Sequence, residues 1–329
     1  TCGACARACP ADIPIPDLIV LMRRHLALET GEFPEGLAGA LENTASVGNP
    51  WGMDPGSRLA WAKDLDVPVA KPGVAYDVLY WVGCSASYDR RAQKIARAMV
   101  KILKAAGIHF AVMQEERCHG DFARRAGEEY LFQTAAAENI ENLRKYQFTE
   151  LVAACPHCFN TLKNEYPQFE GGTFNCVSHT VLIDRLITEG RIKVSKSQFF
   201  TVMHDPCYLA RMNGITAEPR RVLETLGAHL REAKHSKADT LCCGAGGAQI
   251  FMDRPARINV IRLKELKDTK SEVVASACPH CLTMLTSAQA QQKEGAKDEV
   301  LFLDVAEIVA QQLESAAAEE TSGSQRHGS

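Results

Sequence analysis

The sequence predicts an α/β protein in which one unit occurs twice. Three observations lead there. The pentapeptide Ala-Cys-Pro-His-Cys occurs at 154–158 and again at 277–281, 123 positions apart. Around each copy, strand-like apolar runs alternate with stretches of helical periodicity, the pattern of parallel β-α units. Both halves also carry their cysteines in one order: a single cysteine, a turn, then the Cys-x-x-Cys pair.

Residues 1–30 hold "CGACARAC" and then "IPIPDLIVLMRRHLALET", which has helical periodicity. Residues 31–74 are rich in Pro, Gly and Trp with little periodicity, so they read as a linker that wraps over the surface. The first unit, 75–195, opens with the strand "YDVLYWVGC". A helix over "DRRAQKIARAMVKILKAAG" follows and stops at Gly107. Next come the strand "IHFAVM", the turn "ERCHGD" and a long amphipathic helix over about 122–146. The strand "ELVAA" then leads into Cys155-Pro156-His157-Cys158 and a helix. The second unit, 196–314, repeats the order: "QFFTVMHDPC", a helix around "EPRRVLETLG", "HLREA", the turn "LCCGAGG", a helix around "RPARINVIRLKELKD", "EVVASA", and Cys278-Pro279-His280-Cys281. The small, polar tail 315–329 is expected to be disordered.

A net charge of −3 and a pI near 6.4 argue against nucleic acid as a partner, since phosphate binding needs a basic surface. No apolar run reaches the roughly 20 residues of a membrane helix. The count of thirteen cysteines is odd, and the long helical and strand patterns do not suit a disulfide scaffold. Thiols at motif spacings favour metal. Ligands of parallel sheets gather at the carboxyl ends of the strands. Cys84, Cys118, Cys155 and Cys158 are therefore expected in one crevice. Cys207, Cys242, Cys243, Cys278 and Cys281 are expected in a second.

Five thiols exceed what one tetrahedral zinc uses and the usual four of a cubane cluster. Adjacent Cys242 and Cys243 diverge, which suits a larger object with several irons. Gly244, Gly246 and Gly247 allow close backbone approach and N–H donation to sulfide, or else make a plain tight turn. The first unit has His119 where the second has Cys243. Its imidazole is a candidate fifth ligand, a hydrogen-bond donor behind the ligands, or a turn residue. Cys2, Cys5 and Cys9 match the last three positions of the ferredoxin run C-x2-C-x2-C-x3-C-P, whose first cysteine would fall just before Thr1. This segment is expected to hold no complete cubane cluster and to be incidental to the fold.

Other residues read more plainly. His157 and His280 lie between ligand cysteines and are expected at helix starts rather than on metal. His204 and Asp205 are expected to orient the turn before Cys207. Cys176 with His179 is a weak extra pair, read as a buried thiol. Arg124, Arg125 and Arg211 are candidates to offset cluster charge; otherwise they are exposed helix arginines.

The second unit fits C-x(31–39)-C-C-G-x(33–36)-C-x-x-C in full, and the first departs by Cys-His-Gly. The chain thereby resembles the cysteine-cysteine-glycine (CCG) family of iron–sulfur oxidoreductases. "NPWG", "YWVGC", "GDFARRAGEEYLFQ", "CPHCFNTLKNEYP", "HDPCYLARMNG" and "CCGAGG" resemble its electron-transfer-flavoprotein-linked group. The resemblance implies two Rossmann-like units related by a pseudo-two-fold axis. It implies a noncubane 4Fe–4S or linear 3Fe–4S cluster at the second motif and leaves a cubane, a three-iron cluster or no cluster open at the first. It places 4Fe–4S ferredoxin clusters only in a longer protein. The implied partners are electron transfer flavoprotein, loaded by fatty-acid β-oxidation, and menaquinone. A membrane segment upstream would hold this soluble part at the cytoplasmic face. Other family roles are heterodisulfide-like disulfide reduction and service as the iron–sulfur subunit of a glycolate or lactate dehydrogenase. Outside the family, a Cys-Pro-His-Cys thiol–disulfide oxidoreductase or a structural zinc protein are the competing readings.

Overall fold

A computed structural model describes residues 1–34, 36–252, 258–291 and 299–313. The tail expected at 315–329, and the start of the helix expected around 253–257, lie outside the described residues. Eight strands are described: β1 Ala75–Trp81, β2 Phe110–Val112, β3 Gln147–Ala153, β4 Cys176–Ser178, β5 Phe199–His204, β6 Ala228–Arg231, β7 Val273–Ser276 and β8 Leu301–Asp304. They form two four-stranded sheets of order β2-β1-β3-β4 and β6-β5-β7-β8. Every pairing is parallel. The central pairing repeats in register, since Tyr80 faces Val152 in one sheet and Met203 faces Ala275 in the other. Both central strands run apolar because helices cover both faces of such sheets. One continuous core extends through the two units.

The units are joined by packing and by buried polar pairs. The helix Arg90–Ala105 packs on the helix Pro279–Ala290. Arg91 donates to Glu307 at 2.8 Å and to the Phe302 carbonyl at 2.7 Å. His179 Nε2 and Asp304 Oδ1, both fully buried, meet at 3.0 Å.

Two expected elements differ. The helix expected over 122–146 is broken into Asp121–Ala126 and Glu129–Leu143. Gly127 sits at the break with φ +100°, and a Cβ there would meet the Arg23 carbonyl at 2.3 Å. The kink is thus imposed by the N-terminal helix, Ile15–His25, lying close against it. The expected linker also contains a helix, Leu37–Val47. Its Leu37, Ala40 and Leu41 pack with Cys84, Cys118 and Phe122 in a second small core, so the segment roofs the first cysteine site.

Candidate metal centres

Each strand-end cysteine sits where the chain turns from a parallel strand into a helix. Cys84 follows β1 in the helix Gly83–Tyr88, and Cys207 opens Cys207–Asn213 after β5. Cys155 and Cys278 cap Pro156–Asn160 and Pro279–Ala290, each followed by a proline at the first helical position. Proline suits that position because its missing N–H would have no partner there. Helix N-termini carry free N–H groups and partial positive charge, which favour thiolate.

The two expected sets of cysteines adjoin across the unit boundary. Cys242 contacts Cys2 and Cys207, and Cys243 contacts Cys242 and Cys281. Cys278 contacts Cys281 and, across the unit boundary, Cys155. Cys155 contacts Cys158 and also His280 of the second unit. Cys118 contacts Cys84. The turn before Cys84 abuts Cys158, whose Sγ would lie 3.2 Å from a Cβ on Gly83. The two Cys-x-x-Cys segments lie close together, with the His157 and His280 rings 5.8 Å apart. Neighbouring Cys242 and Cys243 were expected to diverge, but their thiols contact each other, and they reach on to Cys207 and Cys281 respectively.

Protons are shared unevenly along this array. Burial opposes ionisation of Cys155, but hydrogen bonds from Cys158, Cys278 and His280 outweigh it and hold its thiol well below the usual value. Hydrogen bonds from Cys242 and Cys281 do the same for Cys243. Their donors Cys278 and Cys281 are pushed up, the first mainly by burial and the second mainly by its bond to Cys243.

Buried polar side chains fix the turns. Glu116 accepts from the backbone N–H of Val82 at 2.9 Å and of Gly83 at 2.7 Å, and it pairs with fully buried Arg58. Asp205 accepts both terminal nitrogens of Arg220 at 2.8 and 2.9 Å and the Lys237 N–H at 2.6 Å. His204 Nδ1 accepts from Arg262 Nε at 3.0 Å. Burial and Arg262 drive the His204 pKa down to about 3. The sequence pattern did not point to Arg58, Glu116, Arg220 or Arg262. Only Glu116 carried a signal, two residues before Cys118.

The histidines behave differently from one another. His119 is buried, and its Nδ1 accepts from the Asp121 N–H at 3.3 Å. Burial lowers its pKa to about 4. His157 Nδ1 lies 2.8 Å from Asp121 Oδ2 and its ring stacks on Tyr208 at 4.1 Å. His119, His157 and His280 line a cavity between the units, together with Cys84, Cys118 and Gly246. His179 pairs with Asp304 rather than with Cys176, whose thiol burial pushes up to about 12.

Two further expectations are corrected. The N-terminal segment is docked, not incidental. Cys2 contacts Cys242, its carbonyl accepts from Arg211 at 2.8 Å, and Arg7 pairs with Asp239 at 2.5 Å. Cys5 is exposed and Cys9 half-buried. Arg124, Arg125 and Arg211 are not free surface arginines. Arg124 and Arg125 both pair with Glu165, Arg125 also reaches Asp121 at 3.1 Å, and Arg211 clamps the carbonyls of Cys2, Ala238 and Thr240.

These residues fit an iron–sulfur group. All thirteen cysteines are free, and the motif thiols are buried apart from half-buried Cys242. Soft sulfur donors of this kind select zinc, copper(I) or iron–sulfur clusters, and the number of thiols is too large for one zinc. A His204 ring nitrogen and the Cys243 and Cys281 sulfurs lie within 4.8 Å of one another, a spacing ready for metal. Gly244 has φ +89° and donates its N–H to Cys242 Sγ at 3.2 Å. The Gly246 Cα faces His157, where a Cβ would lie 3.3 Å from Cε1. Backbone therefore comes close to Cys242 at Gly244 and to His157 at Gly246, as a cluster cradle allows. Among the described residues, no helix is long and apolar enough to cross a membrane.

Duplicated parallel sheets with this thiol array define a class, and the comparison with known families agrees. The cysteine-rich domain CCG matches residues 78–163 and 201–286, so the chain belongs to the CCG family of iron–sulfur oxidoreductases. A probable membrane-anchored ferredoxin of Chromohalobacter salexigens is 40% identical over 323 residues, 96% of this chain and 48% of that protein. The EtfAB:quinone oxidoreductase of Syntrophomonas wolfei is 34% identical over 95% of this chain and 46% of its own. A component of the dihydromethanophenazine:CoB–CoM heterodisulfide reductase of Methanosarcina barkeri is 31% identical over 95% of this chain and 76% of its own. The chain thus spans about half the length of the first two relatives.

Proposed function

We propose that this chain is the electron-transfer part of an iron–sulfur oxidoreductase that takes electrons from reduced electron transfer flavoprotein and passes them towards menaquinone. The observation that carries the reading is the run of contacting thiols from Cys2 to Cys158, which crosses the boundary between the units at Cys155 and Cys278 and has the Cys84–Cys118 pair beside it. Cys207, Cys242, Cys243, Cys278 and Cys281 would hold one cluster, of noncubane 4Fe–4S or linear 3Fe–4S type. Cys84, Cys118, Cys155 and Cys158 would hold a second, with His119 beside it. Bound there, such groups supply one-electron storage without side-chain acid or base chemistry. The chain supplies thiolates at helix N-termini, a dry setting and fixed turns. The shared strand order and register support reading the units as Rossmann-like and related by a pseudo-two-fold axis.

Donor and acceptor rest on the relative named for EtfAB and quinone. A membrane location at the cytoplasmic face rests on the relative named as membrane-anchored. A second reading, reduction of a disulfide, is favoured by the cavity between the units and by the heterodisulfide reductase relative. Thiol–disulfide exchange is disfavoured because Cys155, Cys158, Cys278 and Cys281 are all buried, and exchange needs access.

The test is to prepare the protein without oxygen, count iron and sulfide, and mix it with reduced electron transfer flavoprotein. Iron in both sites and bleaching of the cluster absorbance are expected, with reoxidation by a menaquinone analogue. Iron-free Cys207, Cys242, Cys243, Cys278 and Cys281 would sink the cluster reading. Loaded sites that the flavoprotein does not bleach, but that dithionite bleaches and a small disulfide then reoxidises, would favour the second reading.

A further inference from the structure

His204 ends β5, three residues before Cys207, and is 1% exposed. Its Nδ1 faces Arg262 Nε at 3.0 Å. A guanidinium only donates, so Nδ1 must accept, and the proton of the neutral ring sits on Nε2. Arg262 is fully buried and is itself fixed, donating to the His235 carbonyl at 2.9 Å and to Glu265 Oε2 at 2.8 Å. The tautomer is therefore set by the fold. Nε2 is buried and has no hydrogen-bond partner. A buried donor left unpaired is costly, so it calls for an acceptor. A nitrogen of this ring lies within 4.8 Å of the Cys243 and Cys281 sulfurs.

The repeat supplies a second, independent observation. The position 123 residues before His204 is Trp81, which ends β1 three residues before Cys84. Trp81 is 1% exposed, and its indole Nε1 is also buried without a partner. Indole N–H can only donate. Imidazole and indole share one polar capacity at this place, a ring N–H.

Resting on the cluster reading above, we propose that His204 is not an iron ligand but donates its Nε2–H to a sulfur of the group held by Cys243 and Cys281, and that Trp81 donates likewise at the first site. A donor to sulfur stabilises the more negative, reduced state and raises the reduction potential.

The experiment uses oxygen-free protein labelled with 15N-histidine, with iron counted first. An iron-free second site in the unaltered protein would overturn the cluster reading and this inference with it. With iron present, pulsed electron paramagnetic resonance should show weak 15N coupling and an exchangeable proton that disappears in D2O. His204→Leu should lower the midpoint potential by a tenfold change in the oxidised-to-reduced ratio, about 59 mV for one electron. His204→Gln keeps a side-chain N–H and should recover most of that shift. A strong, directly bonded 15N coupling, or an unchanged potential in fully loaded His204→Leu, would overturn the proposal. Where His204→Leu fails to hold iron, the coupling in the unaltered labelled protein decides alone. Trp81→Phe should lower the potential of the first site and leave the second unchanged.

Discussion

Glu116 shows how much a single buried carboxylate can hold in place. It pins two backbone N–H groups ahead of Cys84 and neutralises Arg58, which is otherwise enclosed. Removing one partner of such a pair strands a charge. Glu116→Gln is expected to destabilise the fold by about 3–5 kcal/mol, read as a lower urea midpoint. The Cys84 thiol of the metal-free variant should also label faster. At this scale the cysteines themselves were legible. Their spacing announced five thiols at one motif. Their supports were not legible. Arg58 and Glu116 lie far apart in sequence, and nothing in either local pattern says which of many arginines meets which acid.

Elements were legible where period and flanking residues agreed. Six of the eight strands were expected in order within the two units, whereas the short β4 and β8 were not. The segment before β1 was obscure because its prolines and glycines mask a short helix. Leu37, Ala40, Leu41 and Thr44 keep the i, i+3, i+4, i+7 spacing that would have revealed it. Leu37 is fully buried over the first cysteine site. Leu37→Ala should cost about 2–5 kcal/mol and speed loss of iron from that site more than from the second, measured by iron release to a chelator. Gly127 presents the opposite case, a break that periodicity cannot show because it depends on a helix distant in sequence. Gly127→Ala adds a Cβ at a positive φ against the Arg23 carbonyl. The expected cost is roughly 1–3 kcal/mol in urea unfolding, and release of the N-terminal helix should appear as faster proteolysis near Arg23.

At the scale of the whole molecule, the duplication was legible but its consequence was not. Spacing within each unit says nothing about how the two units face, so it did not show that the two sets of cysteines adjoin at Cys155 and Cys278. One continuous core and the pair His179–Asp304 bind the units together. A single cooperative thermal transition is therefore expected. Asp304→Ala would leave the His179 side chain without its acceptor inside the core. It should cost about 1–3 kcal/mol and separate the transition into two, as followed by calorimetry.

The docking of the N-terminal segment has a kinetic consequence. Arg211 holds the Cys2 carbonyl together with those of Ala238 and Thr240, and the Cys2 thiol rests on Cys242. A carrier that swings between donor and acceptor is slowed by a thicker solvent. A segment clamped in this way has no swing to slow. Electron passage between the region of Cys2 and the second cysteine site should therefore keep its rate as glycerol raises the viscosity, whereas delivery by a diffusing partner should fall in proportion.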